Sequence, residues 1–388
     1  MNKVAIIAAS QTRFGDLVDM GIKEMFAESF NSMINSVDNG IDRKNIEAAY
    51  IGTLGVGGYQ LGQPAPLMMS YVGLPNIPSI RVENACASGG AALYSAFTDV
   101  ISGRHEVVLA AGVEKMRDLS GMMTKYWLGV SGDTEYERLA GTTFAGIYAL
   151  MADRYMYERK IPKEILSKIS VKNHLYGSMN PKAQLQKKIT LEQAMSAPNV
   201  ASPLNIFDCS LITDGAATLI LTTEKRAREF TDTPIIIEGI GTGSDYLAIH
   251  ERESITRLDA TRRAAADAFK TSGMDAKKID VAEVHDCFTI AELMAYEDLG
   301  LVDKGEGYKM AERLYNGESD IAVNRSGGLK SKGHPLGATG ISQAGEIFNQ
   351  LRGTVDKPGR QVHDAETGLT HNVGGSGGFS VVGIYRRG

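Results

Sequence analysis

The sequence predicts an α/β fold of two related halves around a mostly parallel, buried sheet. Two observations carry this. Apolar runs of strand length alternate with stretches of helical periodicity, the order that builds parallel strands joined by crossover helices. A segment also repeats: residues 40–49 read GIDRKNIEAA and residues 273–282 read GMDAKKIDVA, with five identities and three conservative replacements at an offset of 233. Each copy follows a helix-like stretch and precedes a short strand. Each half then has a glycine-rich turn that opens a helix, Cys86-Ala-Ser-Gly-Gly in the first and His334-Pro-Leu-Gly-Ala-Thr-Gly in the second.

The predicted elements follow in order. Strands are expected at 4–9, 49–51, 107–111, 217–222, 234–238, 281–284 and 379–385, where short apolar runs end in polar or glycine-containing turns. Helices are expected at 23–37, 89–102, 259–271 and 340–351, where apolar residues recur at helical spacing. Residues 117–206 break the repeat. They are rich in Met and Tyr, mostly helical in pattern, and read as an insert. The first half then comprises 1–116 with 207–230, and the second 231–388. From Arg154 to Thr190 the insert carries nine basic and two acidic residues, against a whole-chain net charge of −5. Such an excess serves either a solvated helical face or a docking surface for a phosphate-bearing ligand or an acidic partner.

Composition narrows the function. At 388 residues there is ample material for two or three domains. With 41 basic and 46 acidic residues, the whole chain is not a nucleic-acid binder by electrostatics. No apolar run reaches the roughly 18 residues that suggest a membrane span. The start, MNKVAIIAASQTRFG, lacks a signal-peptide pattern and reads as a strand. The three cysteines, Cys86, Cys209 and Cys287, have neither zinc-motif nor disulfide-framework spacing. A reducing, cytoplasmic setting is the expectation.

Cys86 is the candidate nucleophile. A strand-like run ends before it and small residues open a helix after it, so the positive end of the helix dipole would favour thiolate. A free cysteine is also commonly a small buried hydrophobe. His285, in Val284-His-Asp-Cys-Phe, sits where a strand end enters a loop, the usual place for chemistry in α/β folds. His334 precedes a proline that restricts it to extended geometry. Either histidine could be structural, but with Cys86 they form a Cys–His–His set able to activate a thiol and hold an oxyanion. The last glycine cluster, His371-Asn-Val-Gly-Gly-Ser-Gly-Gly, is either an oxyanion-binding loop or a tight turn before a strand.

Together these loops resemble the thiolase family, in its sterol-carrier-protein-2-like and archaeal branch, over essentially the whole chain. Asn84-Ala-Cys-Ala-Ser-Gly is similar to the nucleophile loop, Gly333-His-Pro to the second catalytic loop, and Asn372-Val-Gly-Gly to the C-terminal glycine loop. Ala111-Gly-Val-Glu-Lys-Met, Lys172-Asn-His and Ser210-Leu-Ile-Thr-Asp-Gly-Ala-Ala add support. The resemblance implies a five-layer α/β/α/β/α fold with a helical loop domain, and acyl-coenzyme A substrates with no cofactor and no metal. It implies that Cys86 carries the acyl group, and that His334 activates it and helps bind the thioester oxygen of the second acyl group. Ser210 would contact pantetheine and Phe288 would line the acyl pocket. The N–H groups of Cys86 and Gly374 would form one oxyanion hole. Two departures stand out. The family usually has Asn-Glu-Ala-Phe where this chain has His285-Asp-Cys-Phe, and a second cysteine where this chain has Asn372. The resemblance then assigns the α-proton to Cys287 and the other oxyanion hole to His285.

The implied activity is that of an acetyl-CoA C-acetyltransferase, condensing two acetyl-CoA to acetoacetyl-CoA by ping-pong Claisen chemistry. The implied setting is the mevalonate pathway, with 3-hydroxy-3-methylglutaryl-CoA synthase and a small OB-fold bridging protein as complex partners. A homodimer or homotetramer is expected, with residues 116–157 near the neighbouring subunit. The alternatives are a degradative thiolase of longer 3-oxoacyl-CoA chains, a decarboxylating 3-oxoacyl synthase, and a non-catalytic acyl-CoA-binding scaffold.

Overall fold

The computed structural model describes residues 3–388. Twelve strands run along the chain: β1 (Val4–Gln11), β2 (Ala48–Gly52), β3 (Ser79–Val82), β4 (Val107–Glu114), β5 (Asn199–Ala201), β6 (Leu204–Asn205), β7 (Gly215–Thr223), β8 (Ile235–Ser244), β9 (Val281–Glu283), β10 (Ala322–Val323), β11 (Thr367–Gly374) and β12 (Phe379–Arg387). Ten form one ladder, in the order β10-β9-β11-β12-β8-β1-β7-β4-β2-β3, and β5 and β6 make a small hairpin. Read outward from the β1–β8 junction, the two halves have the same order and the same strand directions. The junction itself is short, Val4 to Ile6 against Ile237 to Ile235. The repeated segment leads into β2 in one half and β9 in the other, so the 233-residue offset reflects a structural duplication.

The sheet is mixed rather than mostly parallel. Only β2–β3, β2–β4, β9–β10 and β9–β11 pair in parallel. The last strand of each half, β7 or β12, enters antiparallel between older strands. For β12 the cause is local: a four-residue turn after Gly374 forces a hairpin.

Side-chain alternation builds the layers. Ala5 and Ile7 of β1 face one core, Val4 and Ile6 the other. On the first outer face, Met25, Phe26, Phe30 and Met33 of helix Ile22–Asn35 pack on Ile7, Ile51, Leu109 and Ile220. Each such fully buried side chain contributes roughly 1.5–3 kcal/mol. Between the halves lie helices Ser88–Ile101 and Leu336–Arg352, whose Leu93, Val100, Ile341 and Ile347 meet strands of both. On the second outer face, helices Asp259–Ser272 and Thr289–Asp298 cover β9, β11 and β12. The result is five layers, α/β/α/β/α. The two central helices approach the strands very closely: a Cβ on Gly112 of β4 would lie 1.9 Å from the Gly337 carbonyl. Glycine there is a packing requirement.

The insert is helical, with helices Gly121–Gly129, Phe144–Arg159, Glu164–Gly177 and Leu191–Ser196. Much of its positive charge is spent internally. Lys168 meets Glu312, Arg159 meets Glu297, Lys163 meets Asp208, and buried Lys172 meets buried Glu292. Neither a solvated face nor a docking surface describes these four; Lys187 and Lys188 remain exposed. Among the described residues, no helix is long and apolar enough to cross a membrane.

Candidate active site

Three loops from both halves converge above the central helices. After β3 the chain turns sharply at Ala85, which holds φ +51°, before helix Ser88–Ile101 begins. A non-glycine residue there is strained. The turn is held by Glu83, whose carboxylate accepts from the Ala85 N–H at 2.6 Å. It is held also by Ser88, whose hydroxyl accepts from the Asn84 N–H at 3.0 Å and donates to the Ala85 carbonyl. Cys86 sits at this elbow. His285 follows β9, and His334 follows Gly333, itself at φ +115°. The Cys86 sulfur and one nitrogen of each histidine all lie within 4.8 Å of one another, and the two imidazoles meet edge to face at 5.1 Å.

Hydrogen bonding gives the two histidines opposite tautomers. The Asn372 side-chain carbonyl accepts from the Gly90 N–H at 3.0 Å, which fixes the direction of its amide. The Asn372 NH₂ therefore donates to the Cys86 carbonyl at 3.0 Å and to His285 Nδ1 at 3.2 Å. His285 thus carries its hydrogen on Nε2. At His334 the assignment reverses. The Thr339 hydroxyl donates to the Pro335 carbonyl at 2.9 Å, so its oxygen accepts from His334 Nδ1–H at 2.7 Å. His334 Nε2 is left as a lone pair, which in this tautomer offers no hydrogen to a second thioester oxygen, the further role expected of it. Both Nε2 atoms are buried without a protein partner. One presents an acceptor able to take the thiol proton, the other a donor able to hold an oxyanion.

Desolvation favours the neutral form of all three groups, the histidines buried and Cys86 half-buried. It pushes the Cys86 thiol up to about 12, against the pull of the Gly375 and Cys86 N–H groups, with Glu114 and Glu83 adding to the rise. Desolvation thus works against the thiolate that the helix N-terminus favours, and Cys86 precedes the first helical residue by two. Burial also takes His334 down to about 3 and holds His285 well below its usual range, there with help from His334 and His371.

The remaining predicted residues fall around this centre. Gly374, expected to line an oxyanion hole with Cys86, ends β11 opposite Phe379 and lies close to the Cys86 loop, where a Cβ on it would be 2.5 Å from the Asn84 carbonyl. The glycine cluster is half strand, since His371 to Gly374 belong to β11. Cys287 is buried, and burial with the nearby Cys86 pushes its thiol well up. The Ser210 N–H donates to the Cys287 carbonyl at 2.8 Å, tying the two loops together. Phe288 stacks on Tyr148 with ring centroids 4.5 Å apart.

Several contributors were missed in the sequence. Glu114 accepts from the N–H groups of Leu54, Gly55, Val56 and Gly337 at 2.8–3.0 Å, pinning the His334 loop to the first half. Asp286 accepts from the Leu329 N–H and from Asn173 at 2.7 and 2.8 Å; burial and the nearby Glu292 push its carboxyl up to about 7. Asn372 and Thr339 were quoted within motifs, but nothing in their spacing signals that they set histidine tautomers. Tyr148 had no signal beyond the aromatic bias of the insert.

Two family models match the chain: thiolase, N-terminal domain, over residues 4–225, and thiolase C-terminal domain-like, over residues 241–387. An acetyl-CoA acetyltransferase of Methanothermobacter thermautotrophicus is 46% identical over 389 residues, covering 100% of both chains. An acetyl-CoA acetyltransferase of Methanocaldococcus jannaschii is 43% identical over 395 residues, covering 99% of each. The crystal structure of human mitochondrial 3-ketoacyl-CoA thiolase superposes with a TM-score of 0.77 at 18% identity, covering 99% of this chain and 98% of that one, a likeness of fold. Duplicated halves, layer order and both family models agree, and the chain belongs to the thiolase family of acyltransferases.

Proposed function

We propose that the protein is an acetyl-CoA C-acetyltransferase that joins two acetyl-CoA molecules through an acetyl-Cys86 intermediate. The observation that carries this is the convergence of the Cys86 thiol with His334 and His285 within 4.8 Å, where the hydrogen-bond partners assign His334 as acceptor and His285 as donor.

In the first half-reaction His334 Nε2 takes the Cys86 proton as sulfur attacks the thioester carbonyl. The tetrahedral oxyanion would lie against the Cys86 and Gly374 N–H groups. The imidazolium returns the proton to the departing coenzyme A sulfur. In the second, a second acetyl-CoA places its carbonyl against His285 Nε2–H. Cys287, as thiolate, removes the α-proton, and the enolate carbon attacks acetyl-Cys86. The Cys86 thiolate leaves and receives the proton from Cys287. Ser210 and Phe288 would flank the pantetheine and the acyl chain. No cofactor or metal takes part in these steps. The buried Tyr148–Phe288 stack favours a short acyl chain over the longer ones of a degradative enzyme.

Condensation is the uphill direction. We place the enzyme ahead of a product-consuming step of the mevalonate pathway, in complex with 3-hydroxy-3-methylglutaryl-CoA synthase and an OB-fold bridging protein. The protein would act in the cytoplasm as a homodimer or homotetramer. The domain division at 116/117, 206/207 and 230/231 would give a catalytic body of two halves with a loop domain inserted in the first.

The test is turnover in both directions. Acetoacetyl-CoA should be cleaved by free coenzyme A, and acetyl-CoA preferred over longer chains and over malonyl-CoA. Failure to cleave acetoacetyl-CoA, with ready cleavage of a long 3-oxoacyl-CoA, would overturn the substrate assignment. Purification under mild conditions without either partner would overturn the complex.

A further inference from the structure

We propose that Asp286 is the positioning residue that sets the spacing of His285 from His334, with Asn173 of the insert locking its carboxylate in place. The proposal rests on the reading of His285 as the donor that holds the second thioester carbonyl.

Asp286 lies between His285 and Cys287 on the loop after β9 and is fully buried. Its carboxylate bridges to the segment that leads into His334. One oxygen accepts from the Leu329 N–H at 2.7 Å, the other from the Lys330 N–H at 3.2 Å. The turn Gly328–Ser331 is shaped to receive it. Gly327 and Gly328 hold φ +100° and +58°, and a Cβ on Gly328 would lie 2.3 Å from the carboxylate. Only glycine permits that approach. His334 comes three residues after the turn ends, so the carboxylate ties the two histidine loops together close to each ring. The oxygen that faces Lys330 also accepts from the Asn173 NH₂ at 2.8 Å, and the same NH₂ donates to Glu292 at 2.7 Å. The side-chain carbonyl of Asn173 is buried without a partner, so the polar contacts of this amide are all with the two carboxylates.

The two histidines do not depend on this clamp equally. His334 has anchors of its own: its N–H donates to the Thr213 hydroxyl at 3.0 Å, its ring to Thr339 at 2.7 Å, and Glu114 accepts from the Gly337 N–H at 3.0 Å. On the other loop the Val284 N–H donates to Asn324 at 2.8 Å, Asn372 meets the His285 ring at 3.2 Å, and the Cys287 carbonyl accepts from Ser210 at 2.8 Å. Asp286 is the side chain that ties the middle of that loop to the His334 segment. Loosening it moves His285 relative to the Cys86 thiol while His334 stays. Acetylation uses His334, whereas the enolate step also needs His285. Glu292 and Tyr296 of helix Thr289–Asp298, Lys172 of the insert, Lys330 of the turn and neighbouring Cys287 are the titratable groups facing the carboxylate. Burial and Glu292 push its carboxyl up to about 7, against the pull of the Leu329 and Lys330 N–H groups and of Lys172. Protonation puts a hydrogen on an oxygen already met by donors, so the clamp loosens as pH falls through about 7.

The experiment compares two rates in Asp286→Asn, which keeps the size but turns an NH₂ toward one of the donors around it. Exchange of labelled coenzyme A into acetyl-CoA reads the acetylation half-reaction. Thiolysis of acetoacetyl-CoA reads the complete cycle. Both use the coenzyme A thiol and His334, so their ratio is followed against pH. In wild type the ratio of thiolysis to exchange should fall as pH drops through about 7. In Asp286→Asn it should be tenfold or more lower and flat with pH, with exchange within threefold of wild type. Lower thermal stability beside an unchanged ratio would show a merely structural residue and overturn the proposal, as would an Asn variant that keeps the wild-type pH dependence. Asn173→Ala is the second variant, outside both loops, and decides alone if Asp286→Asn does not fold. Loss of its donor should lower the ratio threefold or more and move the acid limb to higher pH; an unmoved limb counts against the lock. Wild type that exchanges but does not cleave acetoacetyl-CoA would sink the proposed activity itself. Wild type that does both, beside normal Asp286→Asn and Asn173→Ala proteins, sinks only the clamp.

Discussion

Replacing Thr339 by valine isolates the tautomer of His334 from everything else at the site. The substitution keeps shape and removes one oxygen. That oxygen accepts from His334 Nδ1–H at 2.7 Å, and the hydroxyl donates to Pro335 at 2.9 Å. Thr339 and His334 are both buried, so water does not replace the lost acceptor. Either Nδ1–H is left unpaired, or the hydrogen moves to Nε2 and the base is lost for that fraction of molecules. An unsatisfied buried donor costs about 1–3 kcal/mol, and a barrier raised by that amount slows acetylation about 5- to 150-fold. The assay is single-turnover acetylation of Cys86 by acetyl-CoA, read by rapid-quench mass spectrometry. Thr339→Ser restores the hydroxyl and should stay close to wild type. A Thr339→Val protein that acetylates at the wild-type rate, with normal thermal stability, would refute the assignment of His334 Nε2 as the base.

Three further predictions follow from the same geometry. Asn372→Asp keeps the size of Asn372 but, ionised, accepts where the amide donates to His285 Nδ1 and to the Cys86 carbonyl. The His285 hydrogen should move to Nδ1, and loss of the oxyanion donor should cost condensation about 10²–10³-fold; condensation within threefold of wild type would contradict the tautomer of His285. The Cys86 thiol, pushed up to about 12, and His334, held near 3, predict a neutral pair at rest. The iodoacetamide reactivity of Cys86 should therefore keep rising past pH 9 as thiolate forms; a plateau near pH 6 would reveal a thiolate–imidazolium pair. Lys172→Met leaves buried Glu292 without its cation, although Asn173 and Asn324 still donate to it. The expected loss is about 3–5 kcal/mol in urea denaturation, and a loss under 1 kcal/mol would show that the two amides and the Tyr296 hydroxyl are enough to hold Glu292.

What the sequence revealed follows from local chemistry. Strands such as β4 and β7 are apolar along their length because both faces are covered, so composition alone marks them. The duplication was visible because the repeated segment leads into β2 and β9, equivalent strands. Other strands left no such mark. β10 has two residues, β3 has only partly buried or exposed positions, and β11 reads TGLTHNVG, a glycine- and histidine-containing run that resembles a loop. Strand direction was also hidden, since an apolar run carries no sign of which way its neighbour runs. At the site, Cys86, His285 and His334 were found because their motifs place them at element ends. At Cys86 the local sequence shows the helix terminus but not the desolvation that works against its thiolate. Glu114, Asn372 and Thr339 act through partners far along the chain or through a hydrogen-bond direction, neither of which spacing encodes.

The most direct measurement is intact and peptide mass spectrometry after brief incubation with acetyl-CoA and no second acceptor. The account predicts one acetyl group, on the peptide that contains Cys86, discharged by free coenzyme A and absent from Cys86→Ala. Acetyl-CoA that binds without forming an adduct, or an acetyl group on Cys209 or Cys287 instead, would contradict it.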